Sequence, residues 1–172
     1  LGVRGGESTF VFERVSQLVE ADLISVDIED CSEISDYDRW HFVQADDVDL
    51  ARKFDKWAKK NDVKESIDVL FIDTSHEYAH TVEEIEQWFP HLSSSSIVFF
   101  HDTNLTRYYL REDGTAGRAW DNQRGVIRAL EDYYGCEFNE KESFTTIQQG
   151  DLIKHNPYCN GMTIIKKGGE FE

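Results

Sequence analysis

Two hydrophobic periods alternate along the first hundred residues. Phe10, Val11, Val15, Leu18 and Val19 recur every three or four positions, the spacing of one helix face. Residues 23–28 are a short apolar run that ends in acids, and residues 40–45 form another, stopped by Asp46 and Asp47; both predict strands. Leu50, Phe54, Trp57 and Ala58 return to helical spacing, and residues 67–72 make a nearly continuous apolar strand ending at Asp73. Thr81-Val82-Glu83-Glu84 spells a capping box, in which Thr81 accepts from the amide of Glu84 while the Glu84 carboxylate reaches back. Val82, Ile85, Trp88, Phe89 and Leu92 are the stripe of the helix that follows; residues 93–96, four serines, predict a polar turn and residues 97–100 the next strand.

Strands that are apolar throughout, rather than alternating, are what a parallel sheet covered on both faces requires. Strand and helix taking turns is the α/β signature. The last third reads differently. Residues 104–122 are polar and irregular and predict a mobile loop or lid; Val126, Ile127, Leu130, Tyr133 and Tyr134 predict a helix ended by Gly135. Residues 138–148 and 162–166 predict two strands joined by a 150–161 connection, an antiparallel hairpin at the edge of the sheet. With no internal repeat or low-complexity linker, the expectation is a single domain over residues 1–172. Its fold class is α/β, Rossmann-like and doubly wound, with a mostly parallel seven-stranded sheet and that edge hairpin. A strand should feed the glycine turn at Gly2, so the expected first strand is truncated at Leu1.

Composition narrows the function classes. Acids outnumber bases by 34 to 18, a formal charge of −16, so the cationic footprint of a nucleic-acid-binding surface is missing. No apolar run approaches the ~20 residues of a membrane span, and no signal-peptide pattern opens the sequence. Cys31, Cys136 and Cys159 are far apart and form no C-x-x-C pair, which favours a reducing, cytoplasmic setting over a disulfide framework or a zinc site.

The residues suited to chemistry stand at strand ends. Leu1-Gly2-Val3-Arg4-Gly5-Gly6-Glu7-Ser8 is a glycine-rich turn leading into a helix, where the backbone can approach a ligand and free amides face it. Its spacing is neither G-x-G-x-x-G nor a P-loop. Asp27, followed by Ile28, ends the next strand, where dinucleotide-type folds place a ribose-binding acid, and Asp46 ends the one after. Asp73 and Asp102 end the fourth and fifth strands. Two carboxylates meeting at a cleft repel unless a proton or a cation lies between them, and hard oxygen ligands suit Mg²⁺. His76, three residues past Asp73, is placed to take a proton from a substrate hydroxyl.

In order and spacing, the glycine turn and the acids after the second and third strands resemble the cofactor half of class I S-adenosylmethionine (SAM)-dependent methyltransferases over residues 1–103. The resemblance implies that Gly2, Arg4, Gly5, Gly6 and Ser8 surround the methionine part of SAM. It implies Asp27 at the ribose and Asp46 near the adenine amine, with Ile28 and Asp73 also among the cofactor-binding residues. The Asp73-x-x-His76 motif with Asp102 is similar to metal-dependent O-methyltransferases of sugars and other natural products, and to the group labelled cephalosporin hydroxylase. That likeness implies Asp73 and Asp102 as metal ligands, His76 as general base and a small-molecule acceptor; relatives commonly assemble as homo-oligomers. Where relatives carry two adjacent acids, or Asp-Asn, this chain has His101 before Asp102 and Thr103 after it. Histidine can ligate metal but suits softer ions than Mg²⁺. A methyltransferase needing no metal, with His76 or His101 as base, therefore stays open.

Two rivals remain in view: an NAD-binding oxidoreductase, which lacks its glycine spacing and a Tyr-x-x-x-Lys pair here, and a methyltransferase fold serving only for binding or assembly. His41, His80, His91 and His155 read as surface or packing residues, and Trp40, Trp57 and Trp88 as core. Trp120, then Tyr108 and Tyr109, are the aromatics expected to meet a substrate. Asn156-Pro157-Tyr158 lacks one proline of the amine-methyltransferase motif and follows the wrong strand.

Overall fold

The computed structural model describes residues 1–168. They fall into two compact units, residues 1–65 and residues from 66 onward.

In the first unit the glycine turn leads into α1 (Glu7–Val19), followed by β1 (Leu23–Asp27), β2 (Trp40–Gln44), α2 (Asp47–Ala51) and α3 (Phe54–Lys60). β1 and β2 pair in parallel, Val26 against Val43 and Asp27 against Gln44. Val3, Val26, Val48, Leu50, Phe54 and Ala58 form the buried interior. The single helix expected around Leu50–Ala58 is two, because Arg52 and Lys53 break it; Lys53 has φ −125°, outside the helical range. The apolar stripe of α1 corrects a second expectation. Phe10 is 66% exposed and Leu18 84%, while Thr9 and Ser16 are the buried residues.

The second unit carries a five-stranded mixed sheet in the order β3-β4-β9-β8-β7. Its strands are β3 (Ile67–Ile72), β4 (Leu92–His101), β7 (Phe144–Gln148), β8 (Asp151–Asn156) and β9 (Met162–Lys166). β3 and β4 are parallel, with Phe71 opposite Phe99 and Ile72 opposite Phe100, and α4 (Tyr78–Trp88) supplies the crossover that parallel strands need. The other three pairings are antiparallel. Leu70, Ile72, Val98, Phe100, Ile153 and Ile165 are buried, and α5 (Gly125–Tyr134) adds Ile127 and Leu130.

The described residues thus show an α/β fold with a parallel pair and a mixed five-stranded sheet, not one mostly parallel sheet of seven strands. The 150–161 connection contains β8, because its inward positions are Asp151, Ile153 and His155, two of them polar, which hides the alternation. The serine run belongs to β4: Ser96 is fully buried, and its carbonyl accepts from the Lys167 amide. The irregular 104–122 segment holds a small antiparallel hairpin of β5 (Tyr108–Leu110) and β6 (Ala116–Arg118). The expected capping box is absent. α4 starts at Tyr78, so Thr81 lies buried inside the helix, and the buried Glu84 accepts from the Thr74 hydroxyl instead. No helix among the described residues is long and apolar enough to cross a membrane.

His155 makes one stability prediction. Its Nε2 lies 2.8 Å from the Glu140 carbonyl, which only accepts, so Nε2 carries the proton and Nδ1 accepts from Thr163 Oγ1 at 2.9 Å. Burial holds the ring's pKa below its ordinary value of 6.5, outweighing the Glu140 contact that favours the cation. The unfolded chain therefore takes up the proton first. The stabilisation is complete above about pH 6.5 and is lost as pH falls through that value toward the folded pKa, by at most about 1.4 kcal/mol per pH unit. Thermal melts from pH 8 to 5 should show a steeper acid-side loss for the native chain than for His155→Gln.

Candidate active site

In the first unit, the glycine turn is fastened to the acid at the end of β1. Asp27 Oδ2 accepts from the amides of Val3 at 2.7 Å and Arg4 at 3.1 Å, and Oδ1 from Glu29 at 2.9 Å. Burial raises the carboxyl's pKa, but the amides of Glu29, Val3 and Arg4 outweigh it and hold Asp27 below the usual carboxylate range. Gly2 and Gly6 take φ of +77° and +85°, the left-handed region that glycine enters without strain. Gly2 donates to Val26 O at 2.9 Å, and Gly6 donates to Val3 O and stands as N-cap of α1 with no side-chain cap. Arg4 and Gly5 are exposed and Ser8 is half-buried, while Ile28 is 73% exposed. Asp46 is a helix cap, its Oδ1 accepting from the Asp49 amide at 3.1 Å. The turn and Asp27 are therefore assembled into one small cradle. A Cβ on Gly6 would stand 2.5 Å from Ile34 Cγ2. Gly6→Ala should cost about 1–3 kcal/mol from its backbone alone, read as a lower urea midpoint.

In the second unit, the ends of β3 and β4 bring together the four residues that sequence reasoning paired there. His101 Nδ1 lies 3.1 Å from Asp73 Oδ1 and 3.0 Å from Asp102 Oδ1. His76 Nε2 lies 3.5 Å from Asp73 Oδ1 and 3.3 Å from Asp102 Oδ2. The parallel register that sets Ile72 beside Phe100 is what aligns the two carboxylates. His76 and Asp102 both hold left-handed backbones, φ +57° and +56°, a region uncommon for residues with a Cβ.

The two imidazoles are tuned apart. Contact with Asp102, then with Asp73, pushes His101 up to about 10 against the effect of burial, so it is cationic at neutral pH. Burial pulls His76 below its ordinary value, and Asp102 and Asp73 only partly offset that, so His76 is neutral. Asp73 is pulled down: burial alone would raise it, but His101 and then His76 outweigh burial. The short contacts of His101 are ion-pair distances without hydrogen-bond alignment, and His101 Nδ1 and Asp102 Oδ1 stay buried with no hydrogen bond. An orphaned carboxylate oxygen among two acids and an imidazole fits a cation, since ligand atoms of Asp73, His76 and Asp102 lie within 4.8 Å of one another.

Trp120 is half exposed with its ring centroid 6.4 Å from that of His76. Tyr108 is exposed on the hairpin, whereas Tyr109 lies over Gly117, where a Cβ would be 2.3 Å from its ring. Asn122 went unnoticed in the sequence. Its Nδ2 donates to the carbonyls of His76 and Asp102 at 3.2 and 3.4 Å, a contact spanning 46 and 20 residues that no local pattern signals.

A glycine turn opening a helix and parallel strands ending in acids are features of α/β enzymes that use nucleotide cofactors. The family of methyltransferase domains matches residues 1–103, more than half of the chain, and the protein belongs to it. No curated protein matches the chain. Among solved structures, a Corynebacterium glutamicum protein is 16% identical with a TM-score of 0.52, over 88% of this chain and 62% of its own. The calicheamicin methyltransferase CalS11 is 14% identical with a TM-score of 0.61, over 98% of this chain and 70% of its own. The mycinamycin-pathway methyltransferase MycE, solved with Mg and S-adenosylhomocysteine (SAH), is 22% identical with a TM-score of 0.57, over 97% of this chain and 41% of its own. These likenesses are of fold. The chain spans less than two thirds of the first and of MycE.

Proposed function

We propose that the chain transfers a methyl group from SAM to a hydroxyl of a small molecule, a sugar or other natural product, with His76 as general base. The observation that carries this reading is the cluster at the ends of β3 and β4, a neutral imidazole facing two aspartates. The family membership and the SAH and Mg named with MycE support the cofactor side. Gly2, Arg4, Gly5, Gly6 and Ser8 would hold the methionine part, Asp27 and Ile28 the ribose and Asp46 the adenine. Asp27 accepts from three amides, and a carboxylate has lone pairs left for a ribose hydroxyl.

SAM, when bound, supplies a methyl group on a cationic sulfur that departs as a neutral thioether. A divalent cation, when bound, would neutralise charge on an acceptor oxygen; Asp73 and Asp102 would hold it, with His101 as a further ligand once its proton is given up. His76 would take the hydroxyl proton on its free ring nitrogen as the oxygen bonds to the methyl carbon, and the two aspartates facing Nε2 would stabilise the resulting imidazolium. Trp120, beside His76, offers a flat apolar face on which an acceptor ring would lie.

One observation favours a second reading, methyl transfer without a metal. His101 already sits as a cation between Asp73 and Asp102, where a metal would otherwise balance their charge. Calorimetric titration with SAH, with Mg²⁺ or with EDTA, tests both. Saturable binding near micromolar, about −8 kcal/mol, is expected, followed by methyl transfer in an acceptor screen. Absence of binding by the folded chain removes the methyltransferase reading. Turnover that survives EDTA selects the metal-free form.

A further inference from the structure

We infer that Asn122 is a positioning residue, one carboxamide that clamps the general base and the facing carboxylate through their backbone carbonyls. The inference rests on the roles proposed above for His76 and Asp102. Both hold left-handed backbones, at φ +57° and +56°, uncommon for residues with a Cβ, so their carbonyls are aimed in directions that a regular strand or helix would not give. Asn122 is more than nine-tenths buried, and its two Nδ2 hydrogens are divided between these two residues, 3.2 Å to His76 O and 3.4 Å to Asp102 O. Carbonyls only accept, so the amide's orientation is set by chemistry. Its Oδ1 is buried with no hydrogen-bond partner. The side chain is thus not kept in place by satisfying its own acceptor.

The backbone around Asn122 reinforces the clamp. Its carbonyl accepts from Gly125 N at 2.9 Å, opening α5, after a sharp turn through Gln123 and Arg124, both at positive φ. Gly125 presses on the loop that carries the base: a Cβ there would lie 2.6 Å from His76 O and 2.8 Å from Tyr78 N. Four-atom side-chain packing alone would not explain why the same amide reaches both loops; a requirement that His76 and Asp102 keep a fixed relation would.

The test compares Asn122→Asp, which keeps the shape and removes the donors, with Gly125→Ala, which pushes on the His76 carbonyl from the other side. Asn104→Ala is the control, since the Asn104 carboxamide donates to Pro157 O and to neither of the two clamped carbonyls. Backbone ¹³C carbonyl shifts of His76 and Asp102 are read by NMR in the full chain, alongside SAH binding, melting temperature, kcat and KM. The expected result is that Asn122→Asp moves both carbonyl shifts and Gly125→Ala that of His76. In both variants kcat falls at least tenfold, while SAH affinity and KM stay within threefold. Unmoved carbonyl shifts in Asn122→Asp would overturn the inference, as would a kcat loss equalled by Asn104→Ala at the same loss of melting temperature. If the native chain transfers no methyl group, the proposed function falls on that result, and the carbonyl shifts still decide the clamp.

Discussion

His76→Ala is expected to slow methyl transfer by about 10²–10⁴-fold, the usual contribution of a positioned base, with SAH affinity unchanged. The His76 ring is mostly buried, neutral and aimed at two carboxylates, so its loss removes the proton acceptor. The fall should be in kcat, because a proton moving in the transition state contributes little to ground-state binding. A pH profile of the native enzyme adds a second check. The pKa of His76 lies below 6.5, so kcat should be level at neutral pH and decline on the acid side, below about pH 6.5. Full activity in His76→Ala, measured with any acceptor the native chain methylates, would dismiss it as the base.

Asp102→Asn is expected to weaken binding of Mn²⁺, used as a spectroscopic stand-in for Mg²⁺, by at least about 10–100-fold, the cost of losing a residue that merely orients a ligand. Asp102 touches both imidazoles, at 3.0 and 3.3 Å, and its buried Oδ1 makes no hydrogen bond. Asparagine tolerates the left-handed backbone of this position, so the substitution isolates the charge. Asp102→Ala adds backbone strain of about 1–2 kcal/mol and should melt lower than Asp102→Asn. The charge loss also removes the larger of the two contacts that keep His101 cationic, so its ¹⁵N signals should show a proton released at lower pH. Unchanged Mn²⁺ affinity in Asp102→Asn, together with turnover in EDTA, would establish the metal-free reading.

Much of the chemistry was legible in the linear order of residues. Acids at strand ends and a glycine turn before a helix are local patterns: a strand must stop where its apolar run stops, and a backbone at positive φ favours glycine. For that reason Asp27, Asp73, His76, His101 and Asp102 could all be named from their places after strands, and the structure brings the last four within 3.5 Å contacts of one another. The helix of Val126–Tyr134 was equally plain, since its stripe is uninterrupted and Gly135 ends it with φ +66°.

Local pattern misled where a polar side chain occupied an inward position for a non-local reason. Ser96 is buried because it lies within β4, and Asp151 and His155 because they face Tyr134 and Glu140 from β8. Thr81, three residues before Glu84, spells a cap, yet Glu84 accepts from Thr74, ten residues away in the loop after β3. Asn122 gave no signal at all, since its two carbonyl partners arrive from different loops.

Residue order, through periodicity and turn chemistry, settled which residues end the strands and hence which could do chemistry. Tertiary packing alone settled which of them meet, how far burial and facing carboxylates drive two histidines of the same chemical kind to opposite charge states, and which side chain holds the two left-handed backbones in place. Those outcomes depend on distance and solvent exposure, and neither is a property of neighbours in sequence.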